Sequence, residues 1–207
     1  MPGTQDLLLF VFSALLLNIT PGPDTLYIVG RSSTQGFKAG ANAALGISAG
    51  IMVHVTAAAL GLSAILAASA TAFTVLKVAG AVYLIYIGIS LIRSRAVDAN
   101  TAMDRATLRT IFVQGFWTNV LNPKVALFFL AFLPQFVDAA APGRAFSFLF
   151  LGLVFNLNGT LWNLFVAWSS ARIGRGLMAN DTVSRWFNRC VGVLFVCLGA
   201  RLVLAKE

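Results

Sequence analysis

Long apolar runs dominate the pattern of residues along this chain. Six of them are long enough to cross a bilayer as helices of about 20 residues each, and they cover residues 7–29, 40–67, 72–92, 111–136, 145–171 and 186–204. Only short polar stretches separate them, which leaves no room for a soluble domain. The pattern predicts an all-α, polytopic membrane protein that forms one transmembrane domain over residues 1–207.

Composition supports this prediction, since 58% of the 207 residues are hydrophobic and 11% are charged. Most basic residues follow the first, third and fifth runs: Arg31, Lys38, Arg93, Arg95, Arg105, Arg109, Arg172, Arg175, Arg185 and Arg189. The positive-inside rule places these loops in the cytoplasm and both termini outside. Because topology accounts for the net charge of +8, the lipid bilayer is an expected partner and nucleic acid is not.

A polar break interrupts the first run at Asn18-Ile19-Thr20-Pro21-Gly22-Pro23-Asp24. Proline stops a helix because it lacks a donor N–H and clashes with the preceding turn. A charge at membrane depth costs about 2.5–3.5 kcal/mol on insertion scales and usually serves a function. Broken helices persist at that depth where they face protein or a water-filled cavity. The break therefore indicates a transport site.

A second break with the same features interrupts the fourth run at Asn119-Val120-Leu121-Asn122-Pro123-Lys124. Each break begins with asparagine and ends with a charge directly after a proline. Three runs per half reverse the direction of the second half. The sequence therefore predicts two inverted three-helix repeats, over about residues 1–93 and 111–207, with helices one and four broken. Two unrelated proline kinks are the alternative.

The chain resembles the LysE/RhtB family of amino-acid exporters. Besides the two breaks, the resemblance rests on Gln35-Gly36-x-x-Ala39-Gly40, Ala44-Leu45-Gly46-x-x-x-Gly50 with His54, Leu76-Lys77-x-x-Gly80-Ala81-x-Tyr83-Leu84-x-Tyr86-x-Gly88, and Phe112-x-x-Gly115. It implies efflux of amino acids or close derivatives by proton antiport across the bacterial cytoplasmic membrane, without cofactor or enzymatic activity. A channel, or an exporter of another small metabolite or ion, is the alternative on the same plan, and an intramembrane enzyme is less expected.

The candidate site comprises both breaks: Asn18, Thr20, Pro21, Gly22, Pro23, Asp24, Asn119, Asn122, Pro123 and Lys124. The Asp24 carboxylate could carry a proton or bind a substrate ammonium. Lys124 could bind a substrate carboxylate or Asp24, and a static ion pair between the two is the alternative. The asparagine and threonine side chains could contact a zwitterionic ligand or cap freed backbone groups.

Other polar side chains are secondary candidates. Asn156, Thr160 and Asn163 share one face of the fifth run, which could line the pathway or hold helices together. His54 could relay protons or donate to a carbonyl. Ser48 lies in a G-x-S-x-G pattern, but His54 is about 9 Å along the same helix and rotated about 240°, which argues against a hydrolase.

The sequence limits the ligands of the protein in three respects. No metal-ligand spacing is present, so no metal site is expected. Asp24 and Asp138 are the acidic residues in or near the apolar runs, which favours neutral or small polar amino acids over dibasic ones. Small residues in the second run are compatible with packing in a homo-oligomer.

Overall fold

A computed structural model describes residues 3–62, 104–138 and 143–173, with single helical positions between residues 71 and 93 and between residues 189 and 200. Apart from turns and one isolated bridge between Thr4 and Val137, the described residues are helical. The all-α prediction is confirmed. The third and sixth predicted spans lie largely outside the described residues, so the six-span repeat stays a prediction.

The first predicted span consists of two helices, α1 (Leu7–Ile19) and α2 (Pro23–Gln35), whose axes differ by 53°. α1 ends where Thr20 donates from both its N–H and its hydroxyl to the carbonyl of Leu16. Pro23 opens α2, a position where its missing N–H costs no hydrogen bond. α2 extends past the predicted end at residue 29 because its polar side chains find partners on other elements.

In the described part of the chain, two uninterrupted helices are long and apolar enough to cross a membrane. α3 (Phe37–Ala57) continues through a wider π-helical turn (Ala58–Leu62), and the other long helix is α6 (Arg144–Ile173). Gly36 joins α2 to α3 at φ +81°, a left-handed conformation that glycine adopts without strain.

The fourth predicted span is also broken. α4 (Leu108–Val120) is followed by α5 (Pro123–Leu127), a π-helical turn (Phe128–Phe132) and a 3₁₀ turn (Leu133–Phe136), with a bend of 46°. If each bent pair is one span, the described residues hold four candidate membrane spans. This supports the predicted polytopic membrane protein.

The two broken spans run in opposite directions. At one end, the Gln5 N–H donates to the Phe136 carbonyl at 2.9 Å and the Asp138 N–H to the Gly3 carbonyl at 2.8 Å. At the other end, Gln35 of α2 bonds to the backbone of Ala106 just before α4. The start of each broken span thus lies beside the end of the other, as an inverted pair requires.

Close approach of α3 to α4 holds the two halves together. A side chain at Gly46 would collide with the Phe112 carbonyl, and one at Gly115 would lie 2.7 Å from the Ala43 carbonyl. At Gly50 an added Cβ would lie 2.8 Å from the Phe116 carbonyl and 2.9 Å from Cβ of Asn119. The small residues of the second run therefore serve packing within the chain.

Candidate functional site

The two breaks meet, and Lys124 links them. The Nζ atom of this α5 residue donates to the backbone carbonyls of Leu17 and Thr20, each at 2.8 Å. The last carbonyls of a helix have no intrahelical partner and carry its partial negative charge. Lys124 therefore caps the C-terminal end of α1 from the opposite broken span.

Asp24 is held in a corresponding way from the other side. It lies in the first turn of α2, where the positive end of the helix dipole favours a carboxylate. Its Oδ2 accepts a hydrogen bond from Nδ2 of Asn119 at 2.7 Å. Asn119 is the penultimate residue of α4 and is fully buried. The charge of each break is thus bound by the other broken span.

Asp24 and Lys124 do not bond directly to each other within the described part of the chain. Lys124 donates to carbonyls and Asp24 accepts from an amide, although Lys124 and His54 are close enough to act electrostatically on Asp24. The static ion pair that the sequence left open is therefore absent from this conformation.

A cavity of about 30 Å³ lies between the breaks. This is room for about one water molecule. Its polar lining comes from Asn18, Thr20, Gly22, Asp24, Thr25, Asn119, Asn122, Lys124 and Asn163, and its apolar lining from Leu17, Ile47, Ile51, Val125 and Phe155. The cavity combines a polar part with an apolar wall, and in this conformation it is contracted.

Three of the lining residues carry buried polar atoms without a hydrogen-bond partner. Oδ1 of Asp24 and Oδ1 of Asn119 are acceptors, and Nδ2 of Asn18 is a donor. Buried polar atoms are nearly always paired, since an unpaired one costs about 1–3 kcal/mol. Residues that line this cavity thus offer unpaired acceptors and an unpaired donor, which is compatible with a ligand that carries both kinds of group.

The remaining polar residues of the breaks divide between capping and lining. Asn122 caps α5, because its Oδ1 accepts from the Lys124 N–H at 3.0 Å. Asn18 lies against Gly159 of α6, where an added Cβ would be 3.0 Å from its Oδ1. Pro21, Gly22, Pro23 and Pro123 supply the backbone of the breaks.

The polar face of α6 also divides. Asn163 is buried and lines the cavity. Oδ1 of Asn156 instead accepts from the hydroxyls of Ser48 at 3.0 Å and Thr160 at 3.3 Å. Asn156 therefore joins α6 to α3, and Thr160 bonds to Asn156 from within α6, which is the packing alternative for this face.

His54 contacts the second break from α3. Its Nε2 lies 3.1 Å from the Asn119 carbonyl, and its ring stacks on Phe129 with centroids 6.0 Å apart. Because a carbonyl only accepts, Nε2 carries the proton in this bond. His54 therefore holds the residue that binds Asp24, and it lies far from forming a triad with Ser48, whose hydroxyl is bonded to Asn156.

Sequence reasoning missed the backbone carbonyls of α1 as ligands and the apolar wall of the cavity. The freed carbonyls had a signal, since the last carbonyls before any proline break lack partners. The apolar wall had no sequence signal, because apolar residues that line a cavity look the same in sequence as those that face lipid. This wall includes Ile47, Ile51, Val125 and Phe155. Among the described residues, no group of three or more His, Cys, Asp or Glu could hold a metal ion.

The fold and the site together define a class of protein. Broken helices whose polar ends meet around a ligand site are typical of secondary transporters, so this is a polytopic membrane transporter. The sequence pattern of the family described as LysE type translocator matches residues 15–206, and the chain belongs to this family. The resemblance found in the sequence is confirmed, and a translocator is not an enzyme.

Similar proteins cover nearly the whole chain. A leucine efflux protein of an Enterobacter species is 29% identical over 202 residues, which are 97% of this chain and 96% of that protein. A leucine efflux protein of Salmonella typhimurium is 26% identical over 207 residues, or 99% and 98%. The uncharacterized membrane protein YrhP of Bacillus subtilis is 28% identical over 211 residues, or 97% and 100%. No solved structure gives a significant match.

Proposed function

We propose that this protein exports amino acids or close derivatives from the cytoplasm, and that protons moving inward drive the export. The observation that carries the proposal is the set of unpaired atoms around one cavity. Acceptors on Asp24 and Asn119 suit an ammonium group, and the donor on Asn18 suits a carboxylate. A zwitterionic amino acid carries both groups. Family membership and relatives named leucine efflux proteins support the same substrate class.

The apolar wall of the cavity favours a neutral, apolar side chain on the substrate. Ile47, Ile51, Val125 and Phe155 are all buried and line the cavity beside the polar groups. A charged side chain placed against this wall would lose its hydration without gaining a partner. Leucine, which the relatives' names give as their substrate, fits this combination of surfaces and is the first compound to test.

The contracted cavity supports a carrier rather than a channel. Room for about one water is far less than any amino acid occupies, and both ends of the broken pair are joined by hydrogen bonds. Substrate passage therefore requires the broken spans to separate at one end at a time. Such alternating access is the usual mechanism of transporters with inverted repeats.

Lys124 binds two further oxygens of the same cavity, beside the Asp24 and Asn119 acceptors proposed for the substrate ammonium. Its own ammonium binds the Leu17 and Thr20 carbonyls in the conformation described. A substrate ammonium offers the same donors and competes for the same oxygens, which releases Lys124 to bind the substrate carboxylate. Asp24 is the buried carboxylate that carries the proton, which it takes up on the outside and gives up on the cytoplasmic side.

Counterflow in proteoliposomes tests this function. Vesicles loaded with unlabelled leucine should accumulate labelled leucine, with saturation and without chemical change, and a proton gradient should drive net export. Asp24→Asn should abolish gradient-driven export while the protein still inserts. Asp6→Asn is the matched control, because Asp6 is exposed and its side chain makes no cap bond. Flux that neither saturates nor responds to pH would indicate a channel, and normal export by a folded Asp24→Asn variant would remove Asp24 from the mechanism.

A further inference from the structure

Arg31 is a buried charge in the second half of the first broken span. Its side chain is 6% exposed. Its guanidinium donates to the Asp104 carbonyl at 2.7 Å, to Oε1 of Gln114 at 2.8 Å, to Oε1 of Gln35 at 3.3 Å and to Oη of Tyr27 at 3.4 Å. All of these partners among the described residues are neutral. Buried charges are usually paired with an opposite charge, but these four bonds of Arg31 all go to neutral oxygens, including the backbone carbonyl of Asp104.

Hydrogen bonds of Arg31 and of its neighbours Tyr27 and Gln35 join the end of the first broken span to the start of the second. Tyr27 donates from its hydroxyl to the Ile111 carbonyl at 2.9 Å. Gln35 bonds twice with the backbone of Ala106, at 2.9 and 3.0 Å. We call this cluster the polar latch; it comprises Tyr27, Arg31 and Gln35 of α2 with Asp104, Ala106, Ile111 and Gln114.

An open groove of about 730 Å³ reaches the polar latch. Its polar and charged lining comes from Tyr27, Arg31, Asp104, Arg105, Gln114 and Thr118, and its apolar lining from Ala106, Val113, Trp117 and Leu121. The groove is open to the surface and much larger than the cavity at the breaks, which holds about one water. The positive-inside rule puts this end of the molecule at the cytoplasmic side. In the predicted topology the groove therefore opens toward the cytoplasm.

We propose that Arg31 is the first carboxylate-binding residue for a substrate that arrives from the cytoplasm, and that this binding opens the polar latch. A guanidinium binds a carboxylate through two parallel, charge-assisted hydrogen bonds, which are about twice as strong as those to neutral oxygens. A substrate carboxylate therefore displaces Gln114 and Tyr27 from Arg31. α2 and α4 then lose bonds that hold this end closed. The inference rests on the proposed function, since it assigns the cytoplasmic end of that route.

Arg31→Gln removes the charge and keeps hydrogen-bonding capacity. In sided vesicles, the KM for leucine at the cytoplasmic face should rise about tenfold or more, as expected for loss of a charged hydrogen bond. The preference for leucine over leucinamide, which lacks the carboxylate, should fall by a similar factor. Arg109→Gln is the control, because it makes the same charge change at an exposed position of α4 and should keep both values within about twofold of wild type.

Arg31→Lys is the second variant for this measurement if Arg31→Gln does not fold. It keeps the charge as a single ammonium without the two-pronged geometry. Its KM for leucine at the cytoplasmic face should lie between those of wild type and Arg31→Gln. A value equal to wild type would contradict a two-pronged contact with the carboxylate.

Cross-linking tests the latch independently of transport. Gln35→Cys and Ala106→Cys, in a chain whose native Cys190 and Cys197 are replaced by alanine, place thiols on both sides of the latch. Joining them with a short bifunctional thiol reagent should abolish the export measured before the reagent is added, whereas the reagent should leave the export of each single-cysteine variant at that variant's own starting level. Leucine and acetate should slow the joining, leucinamide should not, and adding Arg31→Gln should remove the effect of acetate.

The possible failures separate the two proposals. If wild type shows leucine counterflow but Arg31→Gln retains the KM and the preference for leucine over leucinamide, the role of Arg31 is wrong and the proposed function stands. If no amino acid gives counterflow, the proposed function fails. In that case, the effect of acetate on cross-linking alone tests whether a carboxylate opens the latch. If acetate does not slow the cross-linking, the inference is wrong.

Discussion

Each charged side chain at the breaks lies where a helix end carries the opposite partial charge. Asp24 is in the first turn of α2, and Lys124 binds the last carbonyls of α1. Helix ends carry about half an elementary charge, positive at the N-terminus and negative at the C-terminus. These charges are thus stabilised by helix ends without a direct bond to each other, and in the proposed function both are available to a zwitterionic ligand.

Substitution of Lys124 tests this arrangement at the residue scale. Lys124→Met keeps the length of the side chain and removes the charge, so the Leu17 and Thr20 carbonyls lose their donor. We expect leucine counterflow to fall about tenfold or more, since hydrogen bonds to charged groups contribute about 1.5–3 kcal/mol. Lys124→Arg should retain less than half of the activity, because a guanidinium is too large for the cavity. Full activity in Lys124→Arg would indicate simple charge balance.

At the scale of elements, the contact of α3 with α4 positions the second break. Gly50 lies against Phe116 and Asn119 with no space for a side chain. Asn119 is the residue that binds Asp24, and its carbonyl is bonded to His54 of the same helix α3. The spacing between these two helices therefore sets the position of the amide that holds the carboxylate.

Gly50→Ala should disturb both stability and transport. The added Cβ would lie 2.8 Å from a backbone carbonyl, and overpacking of this kind typically costs about 1–3 kcal/mol. We expect a lower midpoint of thermal unfolding in detergent and reduced leucine counterflow. Gly61→Ala is the control, because a Cβ there meets nothing within 4 Å. Equal melting temperatures for the two variants would contradict the close contact of α3 with α4.

At the scale of the whole molecule, the broken spans are joined at both ends. The polar latch closes one end, and the bridge between Thr4 and Val137 closes the other. The flanking bonds make Thr4 and Val137 a non-hydrogen-bonded antiparallel pair, whose Cα atoms are typically about 4.5 Å apart. Alternating access requires each connection to open in turn.

A disulfide between Thr4→Cys and Val137→Cys should lock the end opposite to the latch. A Cα separation of about 4.5 Å lies within the range for disulfides. In a chain without Cys190 and Cys197, oxidation should stop export and a reducing agent should restore it. Each single-cysteine variant should be insensitive to the oxidant. Undiminished export by the oxidised double variant would show that this end does not open during transport.

The orientation in the membrane is a separate prediction for the whole molecule. Single cysteines at Lys38 and at Arg144 lie on opposite sides of the membrane in the predicted topology. In intact cells that produce the protein without its native cysteines, a membrane-impermeant maleimide should label Arg144→Cys. It should label Lys38→Cys only after the membrane is permeabilised. The reverse labelling would show that the termini are inside.

Local features of the sequence determined the helices and the positions of the breaks. Apolar runs and prolines act within a few residues, so α1, α2, α4 and α6 follow from the pattern with shifts at their ends. Hydropathy placed Arg31 in a loop, and this was wrong. Tyr27 and Gln35 lie four residues before and after it, on the same helical face, and they give the buried guanidinium hydrogen-bond partners.

Only the tertiary structure decided which polar groups pair. The sequence supplied Asp24, Lys124 and Asn119 as candidates, yet several pairings among them and the free carbonyls were chemically reasonable. Lys124 donates to carbonyls more than 100 residues away in the sequence, and Asn119 donates to Asp24, which is 95 residues away. Such choices depend on how α3 and α6 bring the broken spans together, because hydrogen bonds of similar strength are distinguished by distance and direction. The local sequence does not determine those distances.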